Sequence, residues 1–402
     1  MAEYIYTAKG RKGETLKGVI DSRSEGEAAQ KLREKGMYPV SIKLQTVANR
    51  DIKISLPQKI KVKDIALMCR QFYSMLDSGI SILECVEVLR RQTENRKLAQ
   101  SLEEVYQKLQ KGQTLSASMR QEKGIYPEIL INMVEAGEVS GQIDVIMNRM
   151  AVHFEKENSI NRKIQSAMTY PVIVISIAVL VVWFLISFVL PSFIDMFSGA
   201  GVQLPLLTRM LLKVGEFTKN YWYIVFGALL GGSYVLGKYL RTDEGRYQLD
   251  RFKLAFPIIK EMNTKVATSR FSRTLSTLMA SGVPIIQAMG IVKKVIGNAV
   301  IAKSIDSVMD DIKRGEGLAN PLAALKVFPP MLISMIKVGE ESGKLSDMLE
   351  KSADYYDAEV DDAITRMTTI LEPVLIIVMA VIIGTIVMAI VLPMFDMFQH
   401  IG

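Results

Sequence analysis

The stretch YPVIVISIAVLVVWFLISFVL, from Tyr170 to Leu190, contains no charged side chain. As a helix rising about 1.5 Å per residue it spans about 30 Å, the thickness of a bilayer's hydrocarbon core. PVLIIVMAVIIGTIVMAIVL, Pro373–Leu392, repeats the pattern near the other end of the chain. A third run, YWYIVFGALLGGSYVLGKYL at Tyr221–Leu240, carries only Lys238, close enough to its end to snorkel. A buried soluble helix imitates one such run; three of them predict a polytopic membrane protein.

Outward from these spans the composition is ordinary. Of 402 residues 49% are hydrophobic and 23% charged, which excludes a disordered or collagen-like chain. The mean hydropathy of +0.21 reflects apolar residues concentrated in the spans. The opening MAEYIYTAKGRKGE has no apolar core of a cleaved signal, so the N-terminus is expected in the cytoplasm. Arg241, Arg246, Arg251, Lys253 and Lys260 follow the middle span, whereas the tail after Leu392 has no Lys or Arg. The positive-inside rule then puts 191–220 and the C-terminus outside and 241–372 inside. The net charge of +7 is assigned to cytoplasmic segments facing anionic lipid, not to nucleic acid. Cys69 and Cys85, in a reducing compartment, are expected as free thiols.

One unit occurs twice. RQFYSMLDSGI (70–80) aligns with RTLSTLMASGV (273–283), and KGQTL (111–115) with RGEGL (314–318). YPEILINMVEAGEVSGQI (126–143) aligns with FPPMLISMIKVGEESGKL (328–345), and Pro171 opens the first span as Pro373 opens the third. The offset stays at 202–203 residues, so a cytoplasmic module plus a membrane helix is duplicated and the middle span joins the copies. Ile65, Met68, Cys69, Phe72, Met75 and Leu76 recur at helical spacing, Gly79 and Gly282 end that helix, and Ser81 with Glu84 opens the next as a capping box. Gly112 and Gly315 stop later helices, and Pro127 and Pro329 suit first helical turns.

The predicted fold is a mainly α membrane protein: two homologous cytoplasmic six-helix bundles, three transmembrane helices and a small N-terminal α/β module. Its segments are the module (1–45), a linker (46–60), the first bundle (61–169), span one (170–190), an extracytoplasmic loop (191–220) and span two (221–240). A membrane-surface connector (241–264), the second bundle (265–372), span three (373–392) and an extracytoplasmic tail (393–402) follow. In the module Tyr4–Ala8, Thr15–Ile20 and Tyr38–Leu44 read as strands, and Ser24 with Glu27 caps a helix that Gly36 ends. The basic stretch Arg246–Phe256 is expected to lie along the membrane surface.

Catalytic signatures are missing from the sequence. Gly339-Glu-Glu-Ser-Gly-Lys-Leu345 has one residue too few between its glycines for a phosphate loop, leucine in place of the hydroxyl, and two glutamates that repel phosphate. There is no HExxH or GxSxG, no carboxylate lies within a span, and His153 and His400 with two thiols make no zinc cage. His153 reads as an exposed helical histidine.

Candidate residues are therefore those of packing and contact. Gly137, Ser140 and Gly141, with Gly339, Ser342 and Gly343, read as a corner between two helices: a glycine stop followed by a serine N-cap. Glu138 and Glu340 have no evident capping duty and read as solvated charges or partner contacts. Gly227 and Gly231 form GxxxG, either a close-approach face or the ordinary glycine content of a membrane helix. Tyr170, Pro171 and Pro373 are candidates for packing in the membrane.

The duplicated unit, the Gly-Glu-x-Ser-Gly corner and the stretch KIQSAMTYP (163–171) closing at Val189-Leu190-Pro191 resemble the type II secretion/type IV pilus inner-membrane platform family. The opening YIYTAKGRKGETLKGVI and Leu204-Pro-Leu-Leu-Thr208 resemble further family segments. In the second copy Leu371-Glu372-Pro373 replaces the Thr-Tyr-Pro step, so no role of Tyr170 is carried across. The resemblance implies a non-enzymatic, multi-pass protein of the cytoplasmic (inner) membrane that oligomerises with its own copies and needs no cofactor. Its implied partners are a cytoplasmic hexameric assembly or retraction ATPase, pilin or pseudopilin subunits, other inner-membrane assembly components and membrane lipid, with no nucleic acid. A solute transporter or a membrane signalling protein are the alternatives. The former calls for more spans and mid-membrane polar groups, the latter for a phosphoacceptor or kinase loop.

Overall fold

The computed structural model describes residues 2–10, 14–22, 24–44, 59–193, 205–240 and 242–401. The chain divides into two units, 1–58 and 59–402.

In the first unit β1 (Ala2–Lys9), β2 (Thr15–Ser22), α1 (Glu25–Glu34) and β3 (Tyr38–Leu44) form an antiparallel sheet of order β2-β1-β3 with one helix. Tyr4 pairs with Ile20 on one side and Leu44 on the other. Pro39 lies on edge strand β3, where no ladder donor is lost, at a register shift opposite Thr7/Ala8. The Ser24 hydroxyl accepts from the Glu27 amide, and Ala28 and Leu32 are buried. The linker expected at 46–60 falls outside the described residues except at Lys59 and Ile60.

The second unit is helical. Its first repeat comprises α2 (Val62–Asp77), α3 (Ile82–Gln92), α4 (Arg96–Gln110), α5 (Leu115–Gln121), α6 (Glu128–Ser140) and α7 (Ile143–Phe184). Between the repeats lie α8 (Leu206–Asn220), α9 (Trp222–Tyr239) and α10 (Asp243–Ala255). The second repeat comprises α11 (Pro257–Ala280), α12 (Ile285–Val295), α13 (Ala299–Lys313), α14 (Ala319–Ala324), α15 (Pro330–Ser342) and α16 (Leu345–Ile401). Ile65, Met68, Cys69 and Phe72 bury the stripe of α2, while α2 packs on α7 as α11 packs on α16. Gly79 and Gly282 turn the chain at φ 80° and 79°, a conformation that favours glycine. The Ser81–Glu84 capping box is present. Pro127 and Pro329 sit one position earlier than expected, at the N-caps of α6 and α15.

One expectation about the membrane is corrected. Pro171 and Pro373 do not open helices; they lie inside α7 and α16. A proline removes one rung of the helical ladder, and with helix-forming sequence on both sides the helix continues through it. The last helix of each repeat's bundle thus continues without a break into its bilayer-length apolar segment. Among the described residues two helical runs, Ile143–Phe193 and Leu345–Pro393, are long and apolar enough to cross a bilayer. Only 11% of each apolar window is buried in the protein, so neither is the core helix of a soluble fold. Helix α9, with four glycines, three tyrosines and Lys238, does not reach the same apolarity.

The segment expected as an extracytoplasmic loop contains α8, while 194–204 lies outside the described residues. Helix α8 folds back on the end of α7, where Leu185–Val189 widens into a π-helical turn. A Cβ on Gly215 would stand 2.6 Å from the Ile186 carbonyl oxygen, so only glycine fits there. The Thr208 hydroxyl donates to the Ala389 carbonyl at 2.8 Å, tying α8 to α16.

Candidate functional site

The Gly-Glu-x-Ser-Gly segments are built alike in both copies, and differently from the expected corner. Gly137 and Gly339 do not stop helices; they lie within α6 and α15, which run through Ser140 and Ser342. The serines are not N-caps. Their hydroxyls donate back to the carbonyls of Ala136 and Val338, at 2.8 and 2.6 Å. Gly141 and Gly343, at φ 71° and 67°, are the left-handed caps that end the helices.

The first glycine of each segment instead admits the next helix. A Cβ on Gly137 would meet Ile146 Cγ1 at 3.0 Å and Ile143 Cα at 3.2 Å. On Gly339 it would meet Leu345 Cα at 2.9 Å. So α6 and α15 lie directly against the starts of α7 and α16, and a side chain there would push the long helices away.

Glu138 and Glu340 correct the expectation of a solvated charge. Glu138 accepts from the Leu115 amide, the Ser116 amide at 3.2 Å and the Ser116 hydroxyl, at the N-terminus of α5. Glu340 accepts from the Leu318 amide and the Ala319 amide at 3.2 Å, at the start of α14. The free amides of a helix N-terminus attract a carboxylate, here supplied from 22 residues away in sequence instead of locally. A reader of the sequence sees no capping partner because the capped helix lies upstream. The repetition of GE in both copies was the only available signal.

A second repeated device ties the first helix of each repeat to its last. Arg70 donates to both carboxylate oxygens of Glu155, at 2.8 and 2.7 Å. Its counterpart Arg273 pairs with Asp357 at 2.6 Å and with Asp354 at 2.8 Å. The hydrogen bond from Arg70 holds the Glu155 carboxyl below its usual range.

The repeats meet along α7 and α16. Ile160, Val266, Val360 and Ile364 form a small apolar cluster there. Around it Arg270 donates to Glu157 at 2.5 and 3.0 Å and to Asn161 at 3.1 Å. Lys163 pairs with Asp361 at 2.6 Å, Arg149 donates to Ser281 at 2.8 Å, and Lys294 pairs with Glu128. His153 sits at this joint and is buried at 5% exposure, not exposed as expected. Burial is the first cause that pulls its imidazole down to about 4, with Glu157 opposing and Arg273 and Arg270 assisting. It is neutral at physiological pH. Beside it a cavity of about 230 Å³ is lined by Asn148, Arg149, Arg273 and Glu350 among others.

The membrane candidates do not come together. Tyr170 is 58% exposed on α7 and Pro171 is buried. Around Gly227 and Gly231 no atom of the described residues lies within 4 Å of an added Cβ. An apolar groove of about 320 Å³ opens between α7 and α16, with walls including Val179, Trp183, Val378 and Ile382. Cys69 and Cys85 are free and buried, and desolvation pushes the Cys69 thiol up and Cys85 up to about 11, which leaves both unreactive. Among the described residues no group of His, Cys, Asp or Glu is arranged to hold a metal.

Comparison with known proteins agrees with this duplicated plan. The family model for type II secretion system (T2SS), protein F matches twice, at 68–191 and 271–393. The model for the N-terminal domain of that protein matches 1–43. Type IV pilus assembly protein PilC of Thermus thermophilus is 37% identical over 98% of both chains. PilC of Myxococcus xanthus is 34% identical over 98% of this chain and 95% of its own. Type II secretion system protein F of Vibrio cholerae is 31% identical over 99% of this chain and 98% of its own. Two copies of the matched domain behind one N-terminal domain, with likeness along the full length, mean that the chain belongs to the type II secretion system protein F family.

Proposed function

We propose that this chain is the inner-membrane platform of a type IV pilus or type II secretion machine, and that it works without catalysis of its own. The observation that carries this reading is the continuity of α7 and α16, each running from a helical module into a bilayer-length apolar segment. A push on either module would reach the membrane along a helix that continues through Pro171 or Pro373. The partners that fit are a cytoplasmic hexameric ATPase below, pilin or pseudopilin subunits in the bilayer, other inner-membrane components and further copies of this chain. The reading includes two six-helix cytoplasmic bundles, α9 as a third span, a cytoplasmic N-terminus and an outward C-terminus.

A pilus is favoured over secretion by identities of 30–37% to pilus assembly proteins against 30–31% to type II secretion system protein F. Deletion of the gene is expected to abolish surface fibres in electron micrographs, with protein secretion and DNA uptake assayed on the same strain. Purified platform is expected to bind its assembly ATPase and alter ATP turnover. Loss of neither fibres, secretion nor DNA uptake, together with an ATPase indifferent to the protein, overturns the reading.

A further inference from the structure

The stretch after α9 was expected to lie along the membrane as a whole. The structure divides it. Gly245 and Asp250 are buried, Asp250 Oδ2 accepts from the Ala299 amide at 2.8 Å, and Lys303 lies over the Tyr247 ring. That face of α10 belongs to the second repeat. Phe252, two residues beyond Asp250, is rotated about 200° from it, on the opposite side of the helix. It is 58% exposed, and its ring lies 4.6 Å from that of Phe256, tilted by 54°; Phe256 is itself 48% exposed. Ile259, Arg251 and Lys260 are exposed at the same corner between α10 and α11.

The height of this corner follows from antiparallel packing. Lys265 of α11 pairs with Glu359 of α16 at 2.7 Å, and Glu261 lies 3.9 Å from Arg366. Phe256 is five residues beyond Glu261 towards the membrane, about 7 Å of helix. Pro373, where the apolar run of α16 begins, is seven residues beyond Arg366, about 10 Å. The two levels differ by about 3 Å. An exposed aromatic pair flanked by cations, held at the hydrocarbon boundary, has the composition of an interfacial anchor.

We infer that the α10–α11 corner, Phe252, Phe256 and Ile259 with Arg251 and Lys260, inserts into the headgroup region of the cytoplasmic leaflet and clamps the second repeat against an anionic lipid surface. This rests on α7 and α16 crossing the bilayer. A push on the second repeat then has a fixed point beside α16, and the first repeat moves against it.

The test uses the full-length protein in vesicles of phosphatidylethanolamine and phosphatidylglycerol, with no other protein. A nitroxide is attached in turn at Phe252→Cys, Phe256→Cys, Val139→Cys and Ile177→Cys, and its relaxation by oxygen and by a water-soluble nickel chelate is compared. Cys69 and Cys85 are buried and take no label. Val139, 87% exposed at the far end of α6, reports water, and Ile177, within the span, reports lipid. The expected result is an oxygen-to-nickel ratio at 252 and 256 at least threefold above that at 139, falling when Arg251→Gln and Lys260→Gln are combined. Ratios at 252 and 256 equal to that at 139 overturn the inference, and low accessibility to both reagents overturns it in favour of a protein contact. Nickel access at 177 instead overturns the membrane reading itself, so the two failures are distinct.

Discussion

Glu138 and Glu340 show how a short repeated motif acts through distance. Each supplies the anionic cap to an upstream helix of its own repeat, so losing it strips partners from two amides that the corner half-buries. Glu138→Ala is expected to lower stability by about 1–2 kcal/mol, read as a reduced melting temperature in detergent, and Glu340→Ala by a similar amount. Gly339→Ala is expected to cost about 1–3 kcal/mol because the opposing atom, Leu345 Cα, is backbone and cannot swing aside. His153 makes a prediction about pH. Its folded-state value near 4 lies below the ordinary 6.5, so the unfolded chain binds the proton first. Its contribution is then fully lost below about pH 4 and fully regained above about 6.5, an upper bound of about 3 kcal/mol across that window. Replacing it by Gln is expected to flatten the denaturation midpoint between pH 6.5 and 4 relative to the parent. An equal pH slope in both proteins contradicts this assignment.

At the scale of the element, α7 and α16 matter most. Periodicity and apolar content identify both halves of each helix, amphipathic and apolar, but a proline between the halves reads as a boundary. In the folded chain Pro171 and Pro373 are interior positions, and the helix that packs against α2 or α11 is the one that carries the bilayer-length apolar segment. If this continuity transmits force, replacing Gln165–Thr169 by five glycines, which removes helical stiffness just below the span, is expected to abolish fibre assembly or secretion. Membrane insertion and the thermal transition of the first repeat are expected to persist. Normal assembly by that variant shows that a rigid helix is not needed.

For the whole molecule the joint between repeats is the deciding feature. Arg270 and Glu157 are each about four-fifths buried and doubly hydrogen-bonded, with no equivalent on the other side of the α7–α16 crossing, where Leu67 stands at the position of Arg270. The duplicated sequence therefore does not give a symmetric molecule. Arg270→Ala leaves the Glu157 carboxylate unpaired at the joint and is expected to cost about 1.5–3 kcal/mol, measurable by denaturant unfolding. It is also expected to increase protease access between the repeats, with cleavage fragments mapping to α10 or the end of α7.

The duplication, the helical modules, the two long apolar segments and the small N-terminal sheet are all local or periodic properties. They were legible because hydrophobic spacing, caps and breakers act within a few residues of one another. Capping by Glu138, burial of His153 and the Arg270–Glu157 clasp were not legible. Each depends on which helices lie side by side, and a carboxylate or imidazole carries no mark in sequence of the partner that folding brings to it. The same holds for Phe252 and Phe256: their amphipathic setting is written in the chain, but their height against the bilayer is decided by how α11 packs on α16.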